Sequence, residues 1–210
     1  MGLMVDPLPY FYGGEKMEKI IQAEKLVVWI ESKICEVEFK ADGRKEIVAG
    51  LLDLSLEYHK SIILLFSEGY NGAAFSLLRV LFEAWVRSLW LMHCASKNEV
   101  EKYTNNQKIE KNMAQLIKDI EKVPGYTKGV ISKAKKAGWW MMNDFTHSGY
   151  EQVRRRFSPP QITPNYDLHE IEEKIDFANA VGLGCFWEIS FLSENSSLIE
   201  AVSTKIKEVS

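Results

Sequence analysis

From Ala73 to Cys94 the chain is apolar on nearly every side, and that one run limits what it can fold into. It carries Arg79, Glu83 and Arg87, which weigh against a membrane span. A helix of this kind therefore needs other helices packed around it in water. The three charges stand at i, i+4 and i+8, within about 80° of one another at roughly 100° per residue. Trp90 and His93 border the same arc. Between Leu77 and Met92 every other position except Ser88 is apolar. Charges on so apolar a helix must be paired or line a cavity. Two readings stay open: an internal Arg–Glu–Arg ladder, or a functional pocket.

The neighbouring segments repeat at helical spacing. Ile20, Ala23, Leu26, Val27, Ile30, Ile34 and Val37 form one stripe over 15–38, and Ala41-Asp42-Gly43 breaks it. A second stripe over 44–68 holds Val48, Leu52, Leu56 and Ile63, with His59 among them. The short loop Gly69-Tyr70-Asn71-Gly72 leads into the central helix, and a loop that short joins antiparallel neighbours. A polar, exposed helical stretch is expected over 97–122, then a helix over 127–147. Asp167 and Glu170 suggest a capping-box opening for a helix carrying Ile171, Ile175, Ala178, Cys185 and Ile189. Gly182 and Gly184 in it would let a neighbour approach closely. A short helix over 196–208 closes the chain.

No window alternates with period two. The sequence predicts an all-α, single-domain antiparallel bundle of about six to seven helices over 15–208, preceded by an aromatic arm over 1–14. Its 210 residues, 46% hydrophobic and 26% charged, suit one globular domain. A net charge of -3 weighs against a non-specific nucleic-acid binder and leaves room for a local basic patch. Cys35, Cys94 and Cys185 form no Cys-x-x-Cys pair and read as small hydrophobes in helices. No signal-peptide pattern opens the chain. A cytoplasmic location without membrane contact is expected.

That patch lies in "NDFTHSGYEQVRRR", residues 143–156. Trp140, Asn143, Asp144 and His147 share one helix side, and Trp140 there is expected to point to the core. His147 stands where the helix ends, with Gly149 expected to turn the chain. Tyr150, Gln152, Arg154, Arg155 and Arg156 follow. If this face meets Arg79 and Glu83, Glu83 is the expected acceptor for His147, and at least one of the three arginines returns to the pocket mouth. The 149–166 segment is expected to be ordered, anchored by Phe157, Ile162 and Tyr166. Asp144-x-x-His147 mimics half of a Glu-x-x-His metal pattern, yet only Glu83 offers a facing carboxylate. No phosphate loop and no Gly-x-Ser-x-Gly elbow is present. No metal and no cofactor is expected.

The run "HKSIILLFSEGYNGAAFSLLRVLFEAWVRSLWLMHCAS", with "NDFTHSGYEQVRRR" and "ITPNY", resembles a family of bacterial helical proteins of unknown function over about 45–190. The resemblance rests on His59, Gly69, Ala74, Arg79, Glu83, Trp90, Thr146, His147, Gly149, Gln152, Arg155, Pro164 and Tyr166. A looser resemblance is to the HEPN (higher eukaryotes and prokaryotes nucleotide-binding) superfamily, α-bundles common in toxin–antitoxin and phage-defence systems. Its ribonucleases use an arginine and a histidine separated by four to six residues, a spacing that Arg87 and His93 satisfy. Apolar residues stand here where that motif often has a polar one.

Attack of a 2′-hydroxyl on phosphorus needs a base near neutral pKa and a cation for the developing charge. His93 or His147 would be the base, and Arg79, Arg87 or Arg154 the cation. Two functions are therefore expected in competition. One is an anion-, nucleotide- or RNA-binding bundle acting as a metal-independent endoribonuclease, with Arg79, Glu83, Arg87, His93 and His147 at its centre. Asn143, Tyr150, Gln152, Arg154, Arg155, Arg156 and His59 would bind its ligand. The other is a non-catalytic domain contacting an antitoxin or other partner protein. A homodimer is expected from exposed aromatics such as Trp139 and Trp140 and from the N-terminal arm.

Overall fold

The computed structural model describes residues 17–35, 37–40 and 42–209. The N-terminal arm over 1–14 lies outside them. Nine helices are described: α1 (Glu18–Ile34), α2 (Gly43–Ser67), α3 (Asn71–His93), α4 (Lys97–Thr104), α5 (Met113–Ile120), α6 (Val130–Thr146), α7 (Tyr150–Arg154), α8 (Leu168–Leu192) and α9 (Ser196–Val209). Apart from one isolated bridge between Ser158 and Gln161, no strand pairing occurs among the described residues. The fold is all-α.

α3 is central, as its apolar surface requires. It packs on α2, α5, α6 and α8, while α1 lies against α2 and α8 and α9 against α8. Trp90, Phe75, Phe82, Phe145 and Phe186 fill the interior. One helix among those described, Leu168–Leu192, is long and apolar enough to cross a membrane, yet 67% of its most apolar stretch is buried inside the bundle.

The helix count exceeds the expected six to seven for local reasons. The 97–122 stretch divides where Asn106 takes a positive φ, and a second capping box, Asn112 with Gln115, restarts it as α5. Most of the 97–122 stretch is exposed, as its polarity suggests, but Leu116, Ile117 and Ile120 of α5 are buried against the bundle. α7 is a short helix inside a segment expected to be irregular. α3 begins at Asn71, inside the expected loop. α2 ends in a Schellman closure: Gly69 at φ 75 lets Tyr70 N–H reach the Leu65 carbonyl and Gly69 N–H the Phe66 carbonyl. Asp167 caps α8 through the amides of His169 and Glu170, whereas the Glu170 side chain goes to Arg155 rather than completing the box.

Small residues on α8 permit its close seat. A Cβ on Gly182 would lie 2.6 Å from His59 Nδ1, and one on Gly184 would lie 3.0 Å from the Trp85 ring. Of the three cysteines only Cys185 is buried; Cys35 is exposed and Cys94 intermediate, because α1 ends just before Cys35 and α3 just before Cys94.

Candidate functional site: the α3–α6 face

Arg79 is the centre of the polar face. Its Nε donates to Glu83 Oε1 at 2.7 Å, and its Nη1 lies 2.6 Å from Asn143 Oδ1 and 2.8 Å from His147 Nε2. Asn143 and His147 stand one turn apart at the end of α6, so a single guanidinium nitrogen reaches both. Arg87 approaches the other Glu83 oxygen at 3.8 Å. Glu83 is therefore shared between two arginines and is not the acceptor for His147. The side chains of Arg79, Glu83 and Arg87 retain 22%, 25% and 33% of their exposure, so they rim the bundle instead of lying inside it. Arginine can only donate, so Nε2 of His147 accepts and the neutral ring carries its proton on Nδ1.

A tryptophan does line this face, but it is Trp139. Its ring lies 5.2 Å from the Arg79 guanidinium and 4.9 Å from Lys135 Nζ, with Phe82 against its edge. Trp140, expected in the core, is 65% exposed. The two rings point roughly 100° apart on the helix, and the one with cations to cover takes the inner place.

The turn after His147 uses its residues differently from the expectation. Ser148, not Gly149, adopts the positive φ, at 55. Gly149 sits at φ -70, and its hydrogen matters for another reason: a Cβ there would lie 2.1 Å from Asp144 Oδ2. The Asp144 carboxylate folds over Gly149 and accepts from Gln152 N, which starts α7. The Gln152 side chain then donates to the Gly72 carbonyl and to Ser76 Oγ, tying α7 to the first turns of α3.

Two of the three arginines are paired with carboxylates, one buried and one at the surface. Arg155 is buried over the Phe145 ring, held by Glu170 through two nitrogens and by Glu151. Burial opposes its charge, yet Glu170 and Glu151 outweigh that and raise its pKa. Arg154 pairs with Glu151, and the two guanidiniums hold that carboxyl below its ordinary range. Neither Arg154 nor Arg155 reaches the Arg79 network. Arg156 is exposed and has no carboxylate partner among the described residues. Tyr150 is exposed, as are Phe157 and Ile162, so the segment is anchored by Arg155 and the buried Tyr166.

The other histidines lie elsewhere. His59 is 1% exposed between α2 and α8, with Nε2 2.9 Å from Asn179 Oδ1. Burial lowers its pKa, against a smaller opposing effect of the Asn179 bond. His93 Nε2 meets the buried Glu188 at 2.8 Å, and Tyr126 donates to the other Glu188 oxygen. Burial first, then Glu188, push the Tyr126 phenol far up. Trp90 is buried beneath Lys111. Arg87 and His93 are six residues apart on α3, so they point about 120° apart and find different partners. Their spacing does not assemble a joint site.

Sequence reasoning missed Glu188, Tyr126, Asn179 and Trp139. Glu188 left one usable signal: a carboxylate beside Ile189, within the apolar stripe of α8, needs a buried partner. Among the described residues no three His, Cys, Asp or Glu side chains come together as a metal site.

The profile of the Family of unknown function (DUF6988) matches residues 52–210. The chain belongs to that family. No curated protein and no solved structure matches it. The family match spans α3, α6, α7 and α8, and so takes in every side chain of the Arg79 network.

Proposed function

We propose that this family member binds a phosphate-bearing ligand, a nucleotide or RNA, on its α3–α6 face. The observation that carries the reading is the Arg79 guanidinium, held at the solvent rim by Glu83, Asn143 and His147 at once. Arg87 and Lys135 add positive charge beside it, and Trp139 and the exposed Trp140 offer ring faces for a base. A ligand phosphate competes with Asn143 and His147 for Arg79 Nη1. When Arg79 turns to the phosphate, Nε2 of His147 is released.

With RNA, that released nitrogen takes the 2′-hydroxyl proton. The O2′–P bond forms, the P–O5′ bond breaks, and the leaving 5′-oxygen is protonated by water. The products are a 2′,3′-cyclic phosphate and a 5′-hydroxyl, with Arg79 stabilising the phosphorane charge. The acting pair is then Arg79 with His147, not Arg87 with His93. A cytoplasmic role in a toxin–antitoxin or phage-defence system, implied by the HEPN resemblance, is the setting in which such a ribonuclease makes sense.

The test is binding and cleavage of labelled single-stranded RNA by the full chain over a range of salt. Saturable binding that weakens with salt and is lost in Arg79→Gln supports the proposal. Absence of both binding and cleavage at low salt overturns it.

A second reading rests on the exposed Trp140, Tyr150, Val153 and Phe157 of the α6–α7 corner. Here the Arg79 network is structural and the corner contacts a second copy of the chain as a non-catalytic interaction domain. Light scattering at micromolar concentration decides it: a dimer that Trp140→Glu dissociates favours this reading, and a monomer rejects it.

A further inference from the structure

α6 and α8 both pack on α3 but scarcely touch each other. Between them lies a crevice of about 360 Å³, with Phe75 and Leu78 of α3 as its floor. Phe75 and Phe145 are each 1% exposed, and their ring centres lie 4.7 Å apart, so one side of the crevice is a fixed aromatic surface. Phe177 of α8 lines the other side, and Met141 and Met142 of α6 add an adaptable apolar wall. The space is more than twice the roughly 150 Å³ that holds benzene in an apolar protein cavity.

Two features of the walls point to an occupant. Gly138 sits inside α6, and glycine is the poorest helix former after proline. Crowding does not require it: a Cβ there would meet only the Met142 methyl carbon, at an ordinary 3.5 Å. With Ala134 and Ala137 also lining the crevice, the short side chains of α6 keep the space open. The second feature is Lys174. Its side chain lines the crevice at 20% exposure, and its carboxylate partner among the described residues is the adjacent Glu173, at 3.3 Å. Glu173 is 55% exposed and also approaches His169, so the ammonium is the more enclosed charge at the apolar space. A cation so placed favours an anionic group that arrives on an apolar body.

We infer that this crevice binds a small aromatic monocarboxylate, its rings among Phe75, Phe145 and Phe177 and its carboxylate on Lys174. Phenyl rings and methionine sulfurs favour an aromatic body over a plain hydrocarbon chain. One ammonium at the mouth suits a singly charged head better than a phosphate dianion, which calls on several donors. On α6, Asn143 and His147 point about 140° and 180° away from Gly138. The crevice is therefore separate from the Arg79 face, and the inference holds whether or not that face takes RNA.

The experiment is a titration of the full chain with naphthoate, naphthylmethanol and naphthylmethylammonium, followed through the methyl NMR signals of Met141 and Met142. Those signals should move saturably with naphthoate, at higher concentration with the alcohol, and least with the cation. Lys174→Gln should weaken naphthoate several-fold and leave the alcohol unchanged, which removes the difference between them. Gly138→Leu should fill the crevice and abolish binding of naphthoate. Methyl signals that do not move, or that respond alike to the acid and the cation, overturn the inference. So does Lys174→Gln binding naphthoate like the wild type. Methyl shifts that follow protein concentration alone would seat a second copy in the crevice and overturn it too. If Gly138→Leu fails to fold, Lys174→Gln still decides, since it gives up only a contact to an exposed neighbour.

Discussion

Across the seam of α2 and α8, His59 is enclosed on every side; across α3 and α6, His147 meets a guanidinium at the edge of solvent. The two imidazoles use the same nitrogen in opposite ways. His59 Nε2 donates to Asn179 Oδ1, leaving Nδ1 against Gly182, whereas His147 Nε2 accepts from Arg79. An enclosed ring with a neutral partner contributes packing and one satisfied bond. An open ring held by a cation contributes little to packing and keeps a lone pair that a ligand can release. Histidine chemistry is set here by the partner and the solvent, not by the helix that carries it.

The comparison breaks first on stability. His59→Ala should cost about 3 kcal/mol, from the cavity it leaves and from the unpaired Asn179 amide. Urea denaturation with unchanged m-value checks this, and a loss below about 1 kcal/mol would mean that the seam is looser than its geometry.

The next test contrasts two adjacent arginines. Arg155→Met should cost about 2 kcal/mol, because it leaves Glu170 and Glu151 without their shared partner in a largely buried place. Arg156→Met, without an ion pair to break, should stay within about 0.5 kcal/mol. Equal effects at the two positions would remove the distinction between a buried, paired arginine and an exposed one.

The enclosed histidine also leaves a pH signature. Its folded pKa is depressed by burial below the ordinary 6.5, so its contribution is complete above that value and is lost as pH falls below it. The unfolded chain takes up a proton that the folded chain refuses, so stability should fall as pH drops below 6.5. His59→Gln should flatten that window. Asp119 acts lower: Lys111 and Lys122 hold it at about 2, so its share is present above 3.8 and fades only towards 2.

What the sequence discloses and conceals follows the same division. The stripes of α3 and α8 were legible because burial repeats at three and four, and the bare sides of Gly182 and Gly184 announced a close helix contact. The meeting of Arg79 with Asn143 and His147 could be reasoned from shared faces. The choice between Trp139 and Trp140 could not, since it depends on where Arg79 and Lys135 stand in space. Gly149 misled for a physical reason: glycine suggests a positive φ, but here it makes room for Asp144, and Ser148 takes the turn. Glu188 finds His93 and Tyr126 across long separations that no local pattern reports. The arginine cluster read as a patch because Glu170 reaches Arg155 only once the segment is folded against α8, although Glu151 lies one turn away in the sequence.

The smallest stability effect carries the most information about function. His147→Ala should change stability by no more than about 0.5 kcal/mol, because the side chain is exposed and Arg79 keeps Asn143 and Glu83 as partners. If the α3–α6 face acts on RNA, the same change should abolish cleavage and leave binding within a few-fold, since the phosphate contact belongs to Arg79. Arg79→Lys should act on both: a point charge retains part of the binding but cannot hold Glu83, Asn143 and His147 together, so binding and cleavage should fall together. Imidazole nitrogen shifts provide an independent reading. His147 should carry its proton on Nδ1 in the free protein and His59 on Nε2, and saturating RNA should move the first and leave the second. A His147→Ala variant that loses more than about 2 kcal/mol would place this ring with His59 among the packing histidines, and the α3–α6 face would then be scaffold.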